Sequence, residues 1–318
     1  VTDSAWVIGA SGLLGRAVTR ELARDSSVGL LLSGSMAWAD DSTFDSQATA
    51  AIREITAEIY DSWTIFWCAG AGVVGTGQAQ FDEELRRFRS FVDLMLHELP
   101  AGAADRGAFF FASSAGGVYA GSDGAPFSEN TVPRPISPYG HTKLAAELVL
   151  RELASGRLPV LVGRIANLYG PDQRLDKAQG IISQLCRSST GGSPTSIYVS
   201  LDTLRDYLFA DDCAGLILDS MKRLRAERVA GDPSFMIKVL ASQQAVTIGA
   251  ILGMVRSIFK RAPNARIGSS ASAAWQVRDL RFTSVVWPDL DQRTLTPLPV
   301  GVHAVARTMT LGSRSGTV

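Results

Sequence analysis

The sequence predicts an α/β protein built on a doubly wound parallel sheet, with a smaller and partly irregular C-terminal lobe. Three observations carry this reading. Short apolar runs and helical stripes alternate through the first two-thirds of the chain, the pattern of a parallel sheet with helices. Glycines cluster where the first run meets the first stripe. From Tyr169 onward the alternation loosens, and proline, glycine and serine gather at Gly170-Pro171, 188–194 and 231–234.

The elements follow in order. Residues 5–8 are an apolar run closed by glycine, hence a buried strand. Leu13, Leu14, Ala17, Val18 and Leu22 recur at helical spacing, so a helix follows at once. A second strand is expected over 28–32, a helix over 48–59 on Ile52, Ile55 and Ile59, and a third strand over 63–68. Residues 81–99 form a long amphipathic helix with Phe81, Leu85, Phe88, Val92, Met95 and Leu99 on one stripe. Strands are expected at 108–112 and 160–164. Between them, Ser137 at N-cap and Pro138 at the first helical position start a helix. It runs through Leu144, Leu148 and Leu150 to a stop near Ser155-Gly156. Shorter helices are expected at 181–187, 213–225 and 248–260, the second capped by Asp211 and Asp212.

Composition excludes several function classes. The 318 residues are 46% hydrophobic and 19% charged, enough apolar material for a sizeable core. Thirty-one basic residues balance 31 acidic ones, so no excess positive charge draws the chain to nucleic acid or an anionic membrane. No apolar run approaches the ~20 residues of a membrane span. The run at 5–8 is too short for a secretion signal. Cys68, Cys186 and Cys213 are far apart without CxxC spacing, which fits reduced thiols in a cytoplasm. His97, His141 and His303 form no ligand cluster, so no metal is expected.

Gly9-Ala10-Ser11-Gly12-Leu13-Leu14-Gly15 has the spacing GxxGxxG at the first strand–helix junction, the context that gives such a motif meaning. A tight turn there aims the helix N-terminus at a pyrophosphate, held by free N–H groups and the positive dipole end. A side chain at Gly12 would block the approach, and one at Gly15 would push the helix off the strand. Gly9, Ser11, Gly12, Leu13, Leu14 and Gly15 are therefore expected to bind a dinucleotide. An acid usually ends the second strand and grips the adenosine ribose. Here Leu31-Leu32-Ser33-Gly34-Ser35 carries neither acid nor arginine. Ser33 can bond a ribose hydroxyl or a 2′-phosphate, so NAD and NADP both stand.

Tyr139-Gly-His-Thr-Lys143 sets a phenol and an ammonium four residues apart, on one face near a helix start. A phenol ordinarily titrates near ~10, too high for a base at neutral pH. A neighbouring ammonium favours the phenolate. Such a pair can exchange a proton with a substrate hydroxyl while hydride moves to or from nicotinamide. The lysine can also bond the nicotinamide ribose. His141 falls on another helix face and is read as structural. Phe109-Phe110-Phe111-Ala112-Ser113-Ser114 is an apolar strand ending in hydroxyls. Ligands in open α/β sheets bind beyond the carboxyl ends of strands, so Ser113 and Ser114 are candidates to bond the reacting oxygen.

Taken together, these motifs resemble the extended short-chain dehydrogenase/reductase family, of the NAD-dependent epimerase/dehydratase type, which includes nucleotide-sugar epimerases such as UDP-galactose 4-epimerase. Further segments match from Val7 to about Gly301. Cys68-Ala69-Gly70 looks like the family's strand that packs against the cofactor. Ser113-Ser114-Ala-Gly-Gly-Val-Tyr119 resembles its serine-bearing segment. Arg164-Ile-Ala-Asn167-Leu-Tyr-Gly-Pro171 and Arg205-Asp206-Tyr207 resemble its substrate segments. The resemblance implies a Rossmann-type domain over 1–168 with later segments returning to the sheet and a lobe over 169–310 that mainly binds substrate; the Ser/Gly-rich composition of the end of the chain predicts a frayed tail over 311–318. It implies that Asn167 contacts substrate phosphates and that Arg205 grips a diphosphate, to which a guanidinium fork is suited. Arg278 is read either as a second phosphate contact or as a surface residue. Residues 173–190 are expected to cover the substrate. Helices 81–99 and 139–154 are expected to form a homodimer through a four-helix bundle, or else to pack on their own sheet.

Two departures from the family pattern matter. Its catalytic Ser/Thr, four residues before the tyrosine equivalent to Tyr119, is replaced by Ala115, which makes Ser114 the substitute. Gly116-Gly117 stand where 4,6-dehydratases carry Asp-Glu, which argues against a dehydratase. Three readings follow. The first is an NAD-dependent nucleotide-sugar epimerase with Tyr139 as base. The second is an NADPH-dependent reductase of a nucleotide-linked keto-sugar or another carbonyl. The third is a non-catalytic dinucleotide-binding regulator, against which the retention of both Tyr139 and Lys143 weighs.

Overall fold

The structure is a computed structural model that describes residues 2–31, 36–70, 72, 76–155, 158–175, 180–191, 194–228, 235–268 and 276–314. The first half runs β1 (Asp3–Ile8), α1 (Leu13–Leu22), β2 (Val28–Leu31), α2 (Asp41–Ile55), β3 (Ser62–Trp67), α3 (Gln78–Glu98), β4 (Gly107–Ser114), the single turn α4 (Ala115–Val118), α5 (Pro138–Ser155) and β5 (Val160–Ile165). The rest runs β6 (Asn167–Tyr169), α6 (Ile181–Ser189), β7 (Thr195–Ile197), β8 (Leu204–Arg205), β9 (Tyr207–Phe209), α7 (Ala210–Ala226), β10 (Phe235–Leu240), β11 (Val246–Thr247), α8 (Ile248–Phe259), β12 (Ala265–Ile267), β13 (Asp279–Leu280) and α9 (Leu298–Arg314).

Six strands form one sheet in the order β10-β5-β4-β3-β1-β2, and every pairing is parallel. Side chains alternate between its two faces, as the pleat requires. Trp6, Ile8, Phe109, Phe111, Val160 and Val162 pack with α2, α3 and α5. Ala5, Val7, Ala108, Phe110 and Leu161 pack with α1 and α7. The expected doubly wound α/β architecture is therefore present. The strand order reverses at β1, with β2 on one side and β3 on the other, and the glycine loop sits at that switch point, where open sheets bind ligands.

A third core joins α6, α8 and α9 through Leu185, Ile251, Val255, Val302 and Val305. A fourth, of Val118, Tyr119, Phe127, Leu280 and Phe282, lies under the end of β4. Lys238 on β10 is fully buried and donates to Ser284 Oγ at 2.8 Å and Asp291 Oδ2 at 3.0 Å, tying the segment after β13 to the sheet. Among the described residues no helix is long and apolar enough to cross a membrane.

Several boundaries differ from the sequence expectations. α2 begins at Asp41, because Asp40 caps it by accepting from Thr43 N at 2.7 Å, and it ends at Ile55, leaving Ile59 78% exposed rather than on the buried stripe. Leu148, counted on the α5 stripe, is likewise exposed. Asp211 and Asp212 do not cap α7. β9 runs directly into that helix with Phe209 at the N-cap, while Asp211 pairs with Arg20 and Asp212 accepts from Thr296 N. Residues 235–240, for which the sequence predicts no named element, form β10 and pair with β5. The stretch expected to fray from residue 311 is helical as far as Arg314, because Val302, Val305 and Met309 seat α9 in the third core.

Candidate active site

The glycine loop is built by close backbone approach. Gly9 has φ +87°, and a Cβ there would lie 2.6 Å from Ala69 N. A Cβ on Gly15 would lie 2.1 Å from the Gly9 carbonyl oxygen, so the first turn of α1 rests directly on the loop. Gly12 is the N-cap of α1 without a side-chain cap, and a Cβ there would meet only Gly9 O, at 3.4 Å. The first-turn N–H groups at Leu13, Leu14 and Gly15 have no intrahelical partners, and the N-cap residue makes no side-chain hydrogen bond to them. Such a helix N-terminus attracts an anion. Ser11 is exposed, and its carbonyl accepts from Arg16 Nε at 3.0 Å. Leu14's side chain is buried in the core, so only its backbone is available to a ligand. Ser33 lies outside the described residues.

β3 brings the next wall. Cys68 N donates to Ile8 O, and Cys68-Ala69 backs onto Gly9. Burial pushes the Cys68 thiol up to about 12, which keeps it protonated and inert. At Gly70 a Cβ would come within 3.5 Å of Lys143 Nζ and 3.3 Å of Glu84 Oε1. Glu84 on α3 also accepts from Gly72 N at 3.3 Å. This carboxylate beside the lysine was not anticipated. Its only sequence signal is that it lies one turn after Phe81 on the same predicted helix; in the structure the Phe81 ring lies 5.9 Å from that of Tyr139.

α5 starts as the Ser137-Pro138 pair predicts, with Ser137 Oγ accepting from Gly140 N at 3.2 Å. This cap sets Tyr139 in the first turn, partly accessible, and Lys143 one turn below, buried. Lys143 Nζ donates to Ala112 O at 3.1 Å and lies 5.8 Å from the centre of the Tyr139 ring. Tyr139 and Ser114 both approach Gly117. A Cβ on Gly117 would be 3.1 Å from the Tyr139 ring edge and 3.3 Å from Ser114 Oγ. Ser114 caps α4 by accepting from Gly117 N, which leaves its own O–H to donate elsewhere. Ala115 is fully buried.

Ser113 is corrected. It shares the pleat parity of Phe109 and Phe111, so it faces α5 rather than the cleft. It is buried and donates to Glu147 Oε1 at 2.5 Å. Leu280 Cδ1 lies 3.7 Å from where a Gly116 Cβ would be, and Leu280 is the register partner of Arg205. Arg205 is buried, bonded to Leu204 O at 2.8 Å and Gln276 Oε1 at 3.2 Å, and burial lowers its pKa below the usual guanidinium value. Asn167 Nδ2 donates to Asp206 O at 2.9 Å, so Asn167 and Arg205 flank one residue. Arg278 is the surface alternative. It is 77% exposed and paired with Asp202, whereas Gln276, which the sequence did not single out, touches Arg205. His141 is exposed.

Comparison with known proteins gives the family and the fold. The family model described as the NAD dependent epimerase/dehydratase family matches residues 5–232. The chain belongs to that family. Its members are NAD(P)-dependent enzymes of the extended short-chain dehydrogenase/reductase type. Among curated members, dTDP-4-dehydro-6-deoxyglucose reductase of Escherichia coli is 36% identical over 115 residues, 35% of either chain. dTDP-L-rhamnose 4-epimerase of Burkholderia thailandensis is 35% identical over 98 residues, 30% of this chain and 27% of the relative. The chain thus aligns with about a third of the length of these relatives or less. Over its whole length it is similar in fold to MoeE5, solved with UDP-glucuronic acid and NAD. The two are 26% identical with a TM-score of 0.72, covering 98% of this chain and 99% of MoeE5. Relatives named as a reductase and as an epimerase thus both match this chain.

Proposed function

We propose that the protein is an NAD(P)-dependent nucleotide-sugar epimerase. The observation that carries this is the meeting of Tyr139 and Ser114 at Gly117, with Lys143 one turn beneath and the uncapped α1 N-terminus opening onto the same end of the sheet. The dinucleotide is held by the loop of Gly9, Gly12 and Gly15 and walled by Cys68, Ala69 and Gly70. When bound, the nicotinamide supplies the acceptor and donor of hydride. Tyr139 Oη takes the proton from the sugar hydroxyl as the carbon is oxidised and returns it after the sugar has turned. Ser114 donates to the reacting oxygen, and Lys143 holds positive charge below the phenolate. Gly116 and Gly117 carry none of the acids that water elimination would need. Arg205 and Asn167 take the diphosphate; the guanidinium has two neutral hydrogen-bond partners and gains an anionic one on binding. UDP is the favoured nucleotide, on the likeness to MoeE5. A homodimer through α3 and α5, whose outward faces carry the exposed Leu96 and Leu148, belongs to the same reading.

A keto-sugar reductase is the second reading, favoured by the match to the Escherichia coli reductase and by the absence of an acid after β2. One experiment separates them. Purified protein is incubated with UDP-glucose or UDP-glucuronic acid and catalytic NAD, and the sugar is followed by NMR. Epimerisation without net change in nicotinamide absorbance is expected. Turnover only of a keto-sugar, with stoichiometric NADPH oxidation, selects the reductase.

A further inference from the structure

Glu147 and Arg164 form an ion pair that lies outside the cofactor and sugar contacts, yet on the catalytic helix. Glu147 is one turn after Lys143 and two after Tyr139, on the same face of α5. Arg164 on β5 is the register partner of Ser113 on β4. Arg164 Nε donates to Glu147 Oε1 at 3.1 Å and Nη2 to Oε2 at 2.6 Å, while Ser113 Oγ donates to Oε1 at 2.5 Å. Arg164 Nη1 donates to the Tyr119 hydroxyl at 2.6 Å. All four residues are buried, the charged pair with side chains only 3% and 4% exposed.

We infer that the Glu147–Arg164 pair, with Ser113, is a positioning device that fixes the register and rotation of α5 against β4, and so holds Tyr139 and Lys143 at Ser114. The inference rests on the reading that Tyr139 and Lys143 do the proton chemistry. Three successive turns of α5 meet the end of β4: Glu147 at Ser113, Lys143 at Ala112 and Tyr139 at the Ser114–Gly117 turn. The apolar neighbours on α5, Ala146, Val149 and Leu150, fill space without directional bonds. Stability is a poor reason for a buried pair, since desolvation offsets much of its attraction and well-packed apolar replacements are often neutral or stabilising. Registry is the better-attested use of such a pair. Here a small slip of α5 moves the reacting oxygen away from its place over the sugar.

The test uses the full chain with NAD bound. The all-apolar variant carries E147M, R164M, S113A and Y119F, so no buried partner is orphaned. E147D is the second variant, which keeps the charge pair but shortens the reach by one methylene. Incorporated 3-fluorotyrosine reports the Tyr139 environment by fluorine NMR, with its resonance assigned by Y139F. UDP-glucose is the turnover probe. The expected result is a displaced Tyr139 resonance and, as for a misplacement of about 1 Å, a kcat lower by up to ~100-fold, with KM and NAD affinity unchanged. A folded variant with an unmoved Tyr139 resonance and unchanged kcat overturns the inference. So does a parallel collapse of kcat, KM, NAD affinity and melting temperature, which marks a merely structural pair. If the unaltered protein does not convert UDP-glucose, the substrate reading fails, and the Tyr139 resonance alone decides the positioning role.

Discussion

The carbonyl oxygen of Gly9 lies 2.1 Å from the point that a Cβ on Gly15 would occupy. Loop and helix therefore touch with no space for a methyl group. Gly15→Ala is expected to force α1 off the loop, lowering stability by ~1–3 kcal/mol as overpacking does. NAD binding, followed by calorimetry, should be lost with it. Gly12→Ala is the contrast, since its methyl would meet only Gly9 O at 3.4 Å. Its thermal midpoint should stay unchanged while NAD affinity falls.

Ser113 and Ser114 are adjacent but separate in role. Ser114→Ala removes the hydroxyl beside Tyr139. The expected loss in kcat is ~10²–10³-fold, the range for a single transition-state donor. Ser113→Ala removes one donor to a buried carboxylate, with an expected stability loss of ~1–3 kcal/mol and a smaller fall in kcat. Thermal melts and kcat measured on both variants check the division. Equal kcat losses would remove the distinction.

Arg205 bears a buried charge with two neutral oxygen partners. Charge-assisted hydrogen bonds contribute ~1.5–3 kcal/mol, so Arg205→Met should raise KM for a nucleotide sugar roughly 10- to 150-fold. Burial disfavours this charge in the free protein. The same variant should therefore melt no lower than the original chain. A lower KM or a large destabilisation would contradict the assignment.

Asp206 is fully buried, and its Oδ2 has no hydrogen-bond partner among the described residues. Burial raises its pKa, against the N–H groups of Ser242, Gln243 and Gln244 that favour the carboxylate. A raised folded pKa means that the folded chain keeps the proton longer than the unfolded one. Its contribution to stability is fully present below the unfolded value of about 3.9 and is lost as pH rises through the folded value. Asp206→Asn does not titrate. The melting temperature of the variant should thus gain on that of the original chain from pH 4 to pH 8. A constant difference across that range would show that Asp206 does not titrate with folding.

Much of the site was legible because its parts are local. The spacing Gly9, Gly12, Gly15 at a strand–helix junction and the cap Ser137-Pro138 ahead of Tyr139 and Lys143 each lie within seven residues. Turn sterics and helical periodicity alone set their geometry. The apolar strands were legible for the same reason, whereas the start of α2 is set by the Asp40 cap, which lies outside the apolar stripe that periodicity reads.

By itself, then, the sequence determined the alternating α/β plan, the glycine loop at the first strand–helix junction and the placement of Tyr139 and Lys143 one turn apart on α5. Only the tertiary structure decided that Ser113 faces Glu147 while Ser114 faces Tyr139, that Glu84 comes to Gly70 beside Lys143, and that Arg205 rather than Arg278 is the buried cation. The reason is physical. A strand's pleat says that neighbours point opposite ways, but which face meets α5 depends on sheet order and packing between residues far apart in sequence. No local pattern encodes that contact.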